Sequence, residues 1–388
     1  MHNKYRGPTN KSTAILRIAV NTRLLRPHKL DGIGWFTFNT LQHLVQHYKE
    51  VEFHCFFDGK PDASFLLGPN MVAHVLLPPA RHAVLNVVWF QWQVKRYLKR
   101  VQPDLFLSPD GNLCLGWQGP QLAVIHDINF LHQPQALKFS NRHYYNYFYP
   151  RFARKATRIA TVSEFSKQDI CTHYGIAEDK VDVVYNGVNS FFQPLKPAEQ
   201  QQVRQQYTTG KPYFLFVGTL SPRKNVDGLM RAYDRFCEIT GSTTQLLIAG
   251  GTMYRSDALY ALQRQLKHGS SIHFTGRLPD AELNRVLGAA RALTFVPHFE
   301  GFGIPLIEAM QCDVPVVASN VTSLPEVTGD AALLVPPNDT DAITQALIQL
   351  DTDAALRQRL IEKGRIRKTL FSWEKTARLL WNSMERCL

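Results

Sequence analysis

Short, largely apolar runs alternate with helical stretches along the whole chain. The pattern predicts an α/β protein with two doubly wound parallel sheets facing across a cleft. Three observations carry that fold class. The runs are mostly apolar on both sides, as strands covered on both faces are. A break with two prolines, between Asn189 and Lys211, splits the alternation into halves. The length, 388 residues, suits two such units.

In the first half, residues 1–190, the predicted strands are Leu16–Asn21, Glu52–Phe57, Val72–Leu76, Leu105–Leu107, Leu122–Ile125, Ile159–Val162 and Val181–Val184. Helices are expected near Gly34–His47, Val87–Val101, Phe139–Lys155 and Ser166–His173. Residues 191–211 read as a linker with a short helix, because Pro194 and Pro197 are followed by a glutamine run with no strand pattern. The second half, 212–370, has predicted strands Tyr213–Val217, Gln245–Ala249, Ile272–Phe274, Ala292–Val296, Val314–Ala318 and Ala332–Val335. Its helices fall near Val226–Thr240, Ser256–Lys267, Asp280–Gly288, Pro305–Gln311 and Asp341–Leu350. Residues 371–388 read as a closing helix that packs back on the first unit. Ser372 is its N-cap, and Leu379, Leu380, Trp381 and Met384 form its apolar side.

Hydrophobic residues make up 45% and charged residues 20%, which excludes disorder or a coiled coil as the main state. The net charge is +12, and residues 1–190 hold +9 of it. An acidic partner is therefore expected at the first half. No apolar run is long enough for a membrane span. The polar, basic Met1–Thr13 and the Arg17-interrupted run Ala14–Val20 do not read as an export signal. Six scattered cysteines without a CxxC pair fit reduced thiols in the cytoplasm better than disulfides or a zinc site. Asn320-Val321-Thr322 matches a glycosylation sequon, a short pattern that also arises by chance.

Ligands of open parallel sheets bind beyond the carboxyl ends of the strands. In the second half those ends carry glycine, cations and small polar groups. Tyr213–Val217 runs into Gly218 and then Arg223-Lys224, two cations suited to a diphosphate. Ile272–Phe274 runs into Gly276-Arg277-Leu278. Ala292–Val296 runs into Glu300-Gly301-Phe302-Gly303-Ile304, just before a helix whose N–H groups suit an anion. Glu300 in that turn and Glu308 in that helix could hold hydroxyls at the two ends of a nucleotide sugar. Each loop alone is also what an ordinary tight turn would look like. Two on one sheet edge favour a phosphate ester.

In the first half, Gly32 and Gly34 open a helix and present N–H groups toward the cleft. Thr37 stands where a dinucleotide fingerprint wants a third glycine, and the preceding loop is long, so a nicotinamide enzyme is discounted. His126-Asp127 ends a strand on the cleft side and is a candidate for chemistry.

His298-Phe299-Glu300-Gly301-Phe302-Gly303-Ile304-Pro305-Leu306-Ile307-Glu308 resembles the Glu-x7-Glu signature of retaining family-4 glycosyltransferases. The segment from Phe216 to Asn225 resembles their diphosphate loop. Ile125-His126-Asp127, Thr161 to Ser166, Tyr185-Asn186-Gly187-Val188 and Pro315 to Ser319 add weaker matches.

The resemblance implies the GT-B fold, with the donor on the second domain and the acceptor on the first. It implies transfer of a hexosyl unit from a nucleotide diphosphate sugar, with retention and without an essential metal or cofactor. Glu300 would bind the donor sugar and Glu308 the ribose. Arg223, Lys224 and the N–H groups of Phe302 to Ile304 would meet the diphosphate. Gly276 to Leu278 would line the base, Gly32 to Gly34 would close over the phosphates, and His126 would touch the donor sugar. Trp35 departs from the polar residue that relatives often carry there. His126-Asp127-Ile128-Asn129-Phe130 is similar to mannosyl enzymes and favours GDP-mannose, with UDP-hexoses open.

The acceptor is expected to be a saccharide or lipid-linked saccharide. On a predicted helix, Trp92, Lys95, Arg96 and Lys99 share one face, a candidate contact with an anionic membrane surface. A solvated helix face would look the same. The protein is thus expected in the cytoplasm or peripheral on the inner face of a membrane, with no nucleic-acid partner. Two other classes compete: a sugar phosphorylase or nucleotide-sugar epimerase on the same scaffold, and a non-catalytic binding subunit. Free nucleotide release with a glycosidic product separates the first. Retention of Glu300, Glu308, Arg223 and Lys224 together argues against the second.

Overall fold

The computed structural model describes residues 15–27, 30–134, 139–251 and 257–388. The basic segment Met1–Thr13 and the expected helix start at Ser256 lie outside them.

The first sheet contains β1 (Arg17–Asn21), β2 (Glu52–Phe57), β3 (Met71–Val75), β4 (Leu105–Ser108), β5 (Gln121–Val124), β6 (Arg158–Thr161) and β7 (Val181–Val183). Their spatial order is β3-β2-β1-β4-β5-β6-β7, with all pairings parallel. The second contains β8 (Tyr213–Val217), β9 (Gln245–Ala249), β10 (Ile272–Gly276), β11 (Ala292–Phe295), β12 (Val316–Ser319) and β13 (Ala332–Val335). Their order is β10-β9-β8-β11-β12-β13, again parallel. In each sheet the order reverses beside the first strand, between β1 and β4 and between β8 and β11. Such switch points leave a crevice at the carboxyl ends. The central strands are buried because helices cover both faces, whereas the edge strands β3, β7, β10 and β13 are only partly buried.

Each sheet lies within its own core. Phe214, Phe216, Leu247 and Val317 anchor the second. Two apolar layers flank the first, one around Trp89, Phe90 and Phe106, the other around Phe36, Phe53 and Leu107. The latter also contains Trp373, Leu380, Trp381 and Met384 from the closing helix Trp373–Glu385. Ser372 caps that helix by accepting from the Lys375 N–H at 3.2 Å.

The short helix expected within 191–211 is Pro197–Thr208, and Val203 and Phe192 are buried in the second core. Two stretches differ from the sequence expectations. The helix Ala354–Arg367 was not expected, because it carries few apolar positions, and Leu360 and Gly364 are its buried residues. The expected helix Val87–Val101 is interrupted by a wider π-helical turn, Trp89–Val94, that the Trp89 indole anchors by donating to the Leu76 carbonyl at 3.0 Å.

That turn splits the face expected to hold Trp92, Lys95, Arg96 and Lys99, because a wider turn changes the angular step between residues. Lys95 is half-buried and lies against Gly116, where an added Cβ would sit 2.6 Å from its Nζ. Trp92, Arg96 and Lys99 stay exposed. Arg96 and Arg100 line a cavity of about 240 Å³ with Leu77 and Tyr97.

Candidate active site

The two sheets face one another across a cleft of about 780 Å³. β8 delivers Gly218 and, after a short loop, Arg223 and Lys224. β11 delivers Glu300. Glu300 Oε2 accepts from Lys224 Nζ at 2.5 Å and from Arg223 Nη1 at 2.7 Å. Arg223 Nη1 also donates to the Phe299 carbonyl at 2.9 Å. The Lys224 ammonium lies 4.5 Å from the centre of the Phe295 ring. Burial pulls the Lys224 ammonium below its ordinary value, and Glu300 offsets only part of that. Burial would raise the Glu300 carboxyl, but Lys224 and Arg223 outweigh it and hold the group below the usual carboxylate range. Two cations meet one anion, so the cluster keeps a positive excess next to the cleft.

Gly303 caps the helix Ile304–Gln311 with φ +100°, and no side chain covers that terminus. Pro305 has no N–H, and the Leu306 N–H donates to the Gly303 carbonyl at 3.0 Å. The open positive end therefore lies at Phe302, Gly303 and Ile304, which line the cleft. One turn on, Glu308 also lines it. Burial, with Asp280 adding a smaller push, raises the Glu308 carboxyl to about 8.

Gly301 shows why glycine is needed in this turn. A Cβ there would lie 2.7 Å from Asp127 and 3.0 Å from the His126 carbonyl, both in the opposite half. The Gly301 carbonyl accepts from Ser163 Oγ at 2.7 Å and Ser166 Oγ at 3.2 Å. The seam continues through Glu326, which sequence reasoning missed. Its carboxylate accepts from the Glu164 N–H at 2.7 Å and the Phe165 N–H at 3.1 Å, capping the helix Glu164–Tyr174 from across the cleft. Nothing in the local sequence around Glu326 signals this, because its partners are some 160 residues away.

His126 lines the cleft, and its Nε2 donates to the Pro109 carbonyl at 2.9 Å. Burial lowers its imidazole below the ordinary value, so the ring is neutral near pH 7. With the proton on Nε2, Nδ1 is an acceptor. Asp127 beside it is held by the Asn129 N–H at 3.0 Å.

Gly32, Gly218, Arg277 and Leu278 also line the cleft. Arg277 Nη2 donates to the Leu30 carbonyl of the first half at 3.0 Å. Gly34 and Gly276 are not brought to the cleft lining. The helix begins at Gly32, Asp31 is its N-cap, and the Asp31 carboxylate takes the Gly34 N–H at 2.9 Å. Gly34 thus has no N–H left for a phosphate. Gly276 ends β10, and its carbonyl accepts from the Gly250 N–H at 2.9 Å.

Other cleft residues were missed. Asn186 lines it with its buried Oδ1 unpaired among the described residues. Asp110, Tyr145 and Tyr149 form part of the first-half wall. Buried Asp110 is fixed by part-buried Arg23 at 2.6 Å.

Comparison with known proteins agrees with this geometry. The family described as "Glycosyltransferase Family 4" matches residues 30–190, and "Glycosyl transferases group 1" matches residues 198–367. O-antigen chain mannosyltransferase B of Escherichia coli is 35% identical over 254 residues, covering 65% of this chain and 67% of that protein. A serotype-specific mannosyltransferase WbdA of Escherichia coli is 28% identical over 69% of this chain, which spans only 33% of WbdA's length. The sucrose-phosphate synthase structure from Thermosynechococcus elongatus superposes with a TM-score of 0.78 at 20% identity, covering 95% of this chain and 98% of that one, which shows the shared fold. The chain belongs to the group 1, family 4 glycosyltransferases and has their GT-B architecture.

Proposed function

We propose that the chain moves a mannosyl unit from GDP-mannose, with retention at the anomeric carbon, onto a growing lipid-linked surface glycan. The observation that carries the reading is the meeting of Arg223, Lys224 and Glu300 beside an uncapped helix terminus, opposite His126 and Gly32. The names of the Escherichia coli relatives support mannose and an O-antigen type of acceptor. UDP-hexoses are the competing donors. Residues 212–370 would hold the donor and 1–190 the acceptor, with 191–211 linking them and 371–388 closing the molecule.

Breaking a sugar–phosphate bond builds positive charge on the anomeric carbon and negative charge on the leaving diphosphate. Cations fixed before reaction stabilise the latter without reorganisation. Without donor, Glu300 pairs with both cations and offsets one of their two charges. The incoming diphosphate takes over Arg223 and Lys224 and frees Glu300 to accept from sugar hydroxyls. Phe302 to Ile304 present N–H groups to the same phosphates. Glu308 faces the ribose, Leu278 and Arg277 the base, and neutral His126 accepts a donor-sugar hydroxyl at Nδ1. The two basic side chains replace a divalent ion at the diphosphate.

The first half exposes apolar and basic side chains along residues 77–100: Trp92 is 63% exposed, Leu77 58% and Val84 69%, and Arg96, Lys99 and Arg100 are exposed as well. Such side chains suit an anionic membrane surface, where a lipid-linked acceptor would be met. Among the described residues no helix is long and apolar enough to cross a membrane.

Thermal-shift titration against GDP-mannose and UDP-hexoses, with and without EDTA, tests the donor reading. A shift with GDP-mannose that EDTA leaves intact is expected. No shift with any donor, or one lost in EDTA, would overturn it. Product anomers by NMR test retention.

A further inference from the structure

We propose that His132, Asp169 and His173 form a binding site for one divalent transition-metal ion of the zinc class, on the seam between the two halves. The site is separate from the diphosphate and does not depend on the donor reading. His132 ends the short helix Asn129–His132. Asp169 and His173 lie one turn apart on the helix Glu164–Tyr174, and i,i+4 spacing puts them on one face. Ligand atoms of the three residues all lie within 4.8 Å of one another. His132 Nε2 is 2.9 Å from both Asp169 oxygens. His173 Nδ1 is 3.0 Å from Asp169 Oδ1.

A tetrahedral ion with bonds of about 2.0–2.1 Å holds its ligands about 3.3 Å apart. The two His–Asp contacts therefore have to open by only a few tenths of an ångström. Coordination at His132 Nε2 and His173 Nδ1 moves each neutral ring's proton to its other nitrogen. The His173 contact with the Asp169 carbonyl, 3.0 Å long, is then given up. Two imidazoles with one carboxylate suit zinc, cobalt, nickel or copper, whereas magnesium and calcium prefer all-oxygen sets. Asp169 is buried and fixed, while both imidazoles are part-exposed. A hydrated ion can therefore enter and keep a water as its fourth ligand.

The site has a reason to matter. The His132 ring stacks on Phe299, with centroids 4.8 Å apart and planes 23° apart. Phe165, from the same helix as Asp169, also meets the Phe299 ring, edge-on with centroids 5.7 Å apart. Phe299 precedes Glu300, and its carbonyl accepts from Arg223. An ion that fixes His132 thus fixes, through the stacked Phe299, the seat of the loop carrying Glu300.

The test titrates the metal-free full chain with Co²⁺ and no donor, following the d–d absorption, then displaces Co²⁺ with Zn²⁺. One equivalent binding tighter than about 100 µM is expected, with a raised melting temperature. At least a tenfold loss of affinity is expected in His132→Ala and in Asp169→Asn. His173→Gln, at a part-exposed position, should do the same, with circular dichroism checking the fold of all three. Binding weaker than that, wild-type affinity in His132→Ala and His173→Gln, or equal displacement by Mg²⁺ would overturn the proposal.

Discussion

Lys224 is buried with one carboxylate partner and an aromatic ring nearby, so truncating it leaves Glu300 paired to Arg223 alone. Lys224→Ala should lower kcat by about 10²–10³ while circular dichroism stays unchanged, the scale of losing one preorganised donor to a developing anion. A wild-type rate would remove Lys224 from the reaction. Glu308 allows a pH test. Its folded carboxyl titrates near 8, above its ordinary value, so the folded state binds more protons than the unfolded chain between the two values. Stability is then lost as pH rises toward and through 8. Glu308→Gln cannot ionise, so its melting temperature should exceed the wild type's at pH 9, with the gap closing toward pH 4. A gap independent of pH would refute the shift. Arg223, Lys224, Glu300 and Glu308 were legible in sequence because each lies in a short run at one strand end. Asp31 was not: as a helix cap it blocks Gly34, and glycine spacing alone does not reveal which N–H is already taken.

At the scale of elements, the interhalf cap is the contact with most leverage. Glu326→Ala leaves two N–H groups at the start of the helix Glu164–Tyr174 without their acceptor. Such a loss costs about 1–3 kcal/mol. Because it falls on the seam, it should appear as about a tenfold rise in donor KM with kcat little changed. Initial-rate kinetics checks this, and an unchanged KM would show that the seam does not govern donor capture. All thirteen predicted strands are present with ends shifted by a residue or two, since buried parallel strands advertise themselves as continuous apolar runs. The helix Ala354–Arg367 gave no such signal, because a mostly polar helix resembles a loop in hydropathy. The short helix Leu324–Thr328, which carries Glu326, offers too few residues for any period.

For the molecule as a whole, charge is the property read most directly from composition. With +9 of the net +12 in residues 1–190, the first half should approach anionic surfaces first. The full chain should bind phosphatidylglycerol vesicles more tightly than neutral ones. Replacing Arg96 and Arg100 together by Ala should weaken that binding by about 10–30-fold, at about 1 kcal/mol per basic residue. Equal binding to neutral vesicles would rule out the electrostatic part. The two-sheet architecture was legible from alternation and the break after Asn189. The closed seam was not, because it depends on contacts such as Gly301 with Asp127 that join distant segments.

The closing helix has a consequence for how the protein is made. Trp373, Leu380, Trp381, Met384 and Cys387 complete a core layer whose other buried members lie between Ile18 and Val184. Roughly 200 residues separate the last first-sheet strand from those side chains, and synthesis at about 5–20 residues per second takes about 10–40 s to cross that gap. Throughout that interval the nascent first half has an unsealed apolar face. The helix Trp373–Glu385 must leave the ribosome before the N-terminal half is finished, so a chain cut short within that helix strands the half made first.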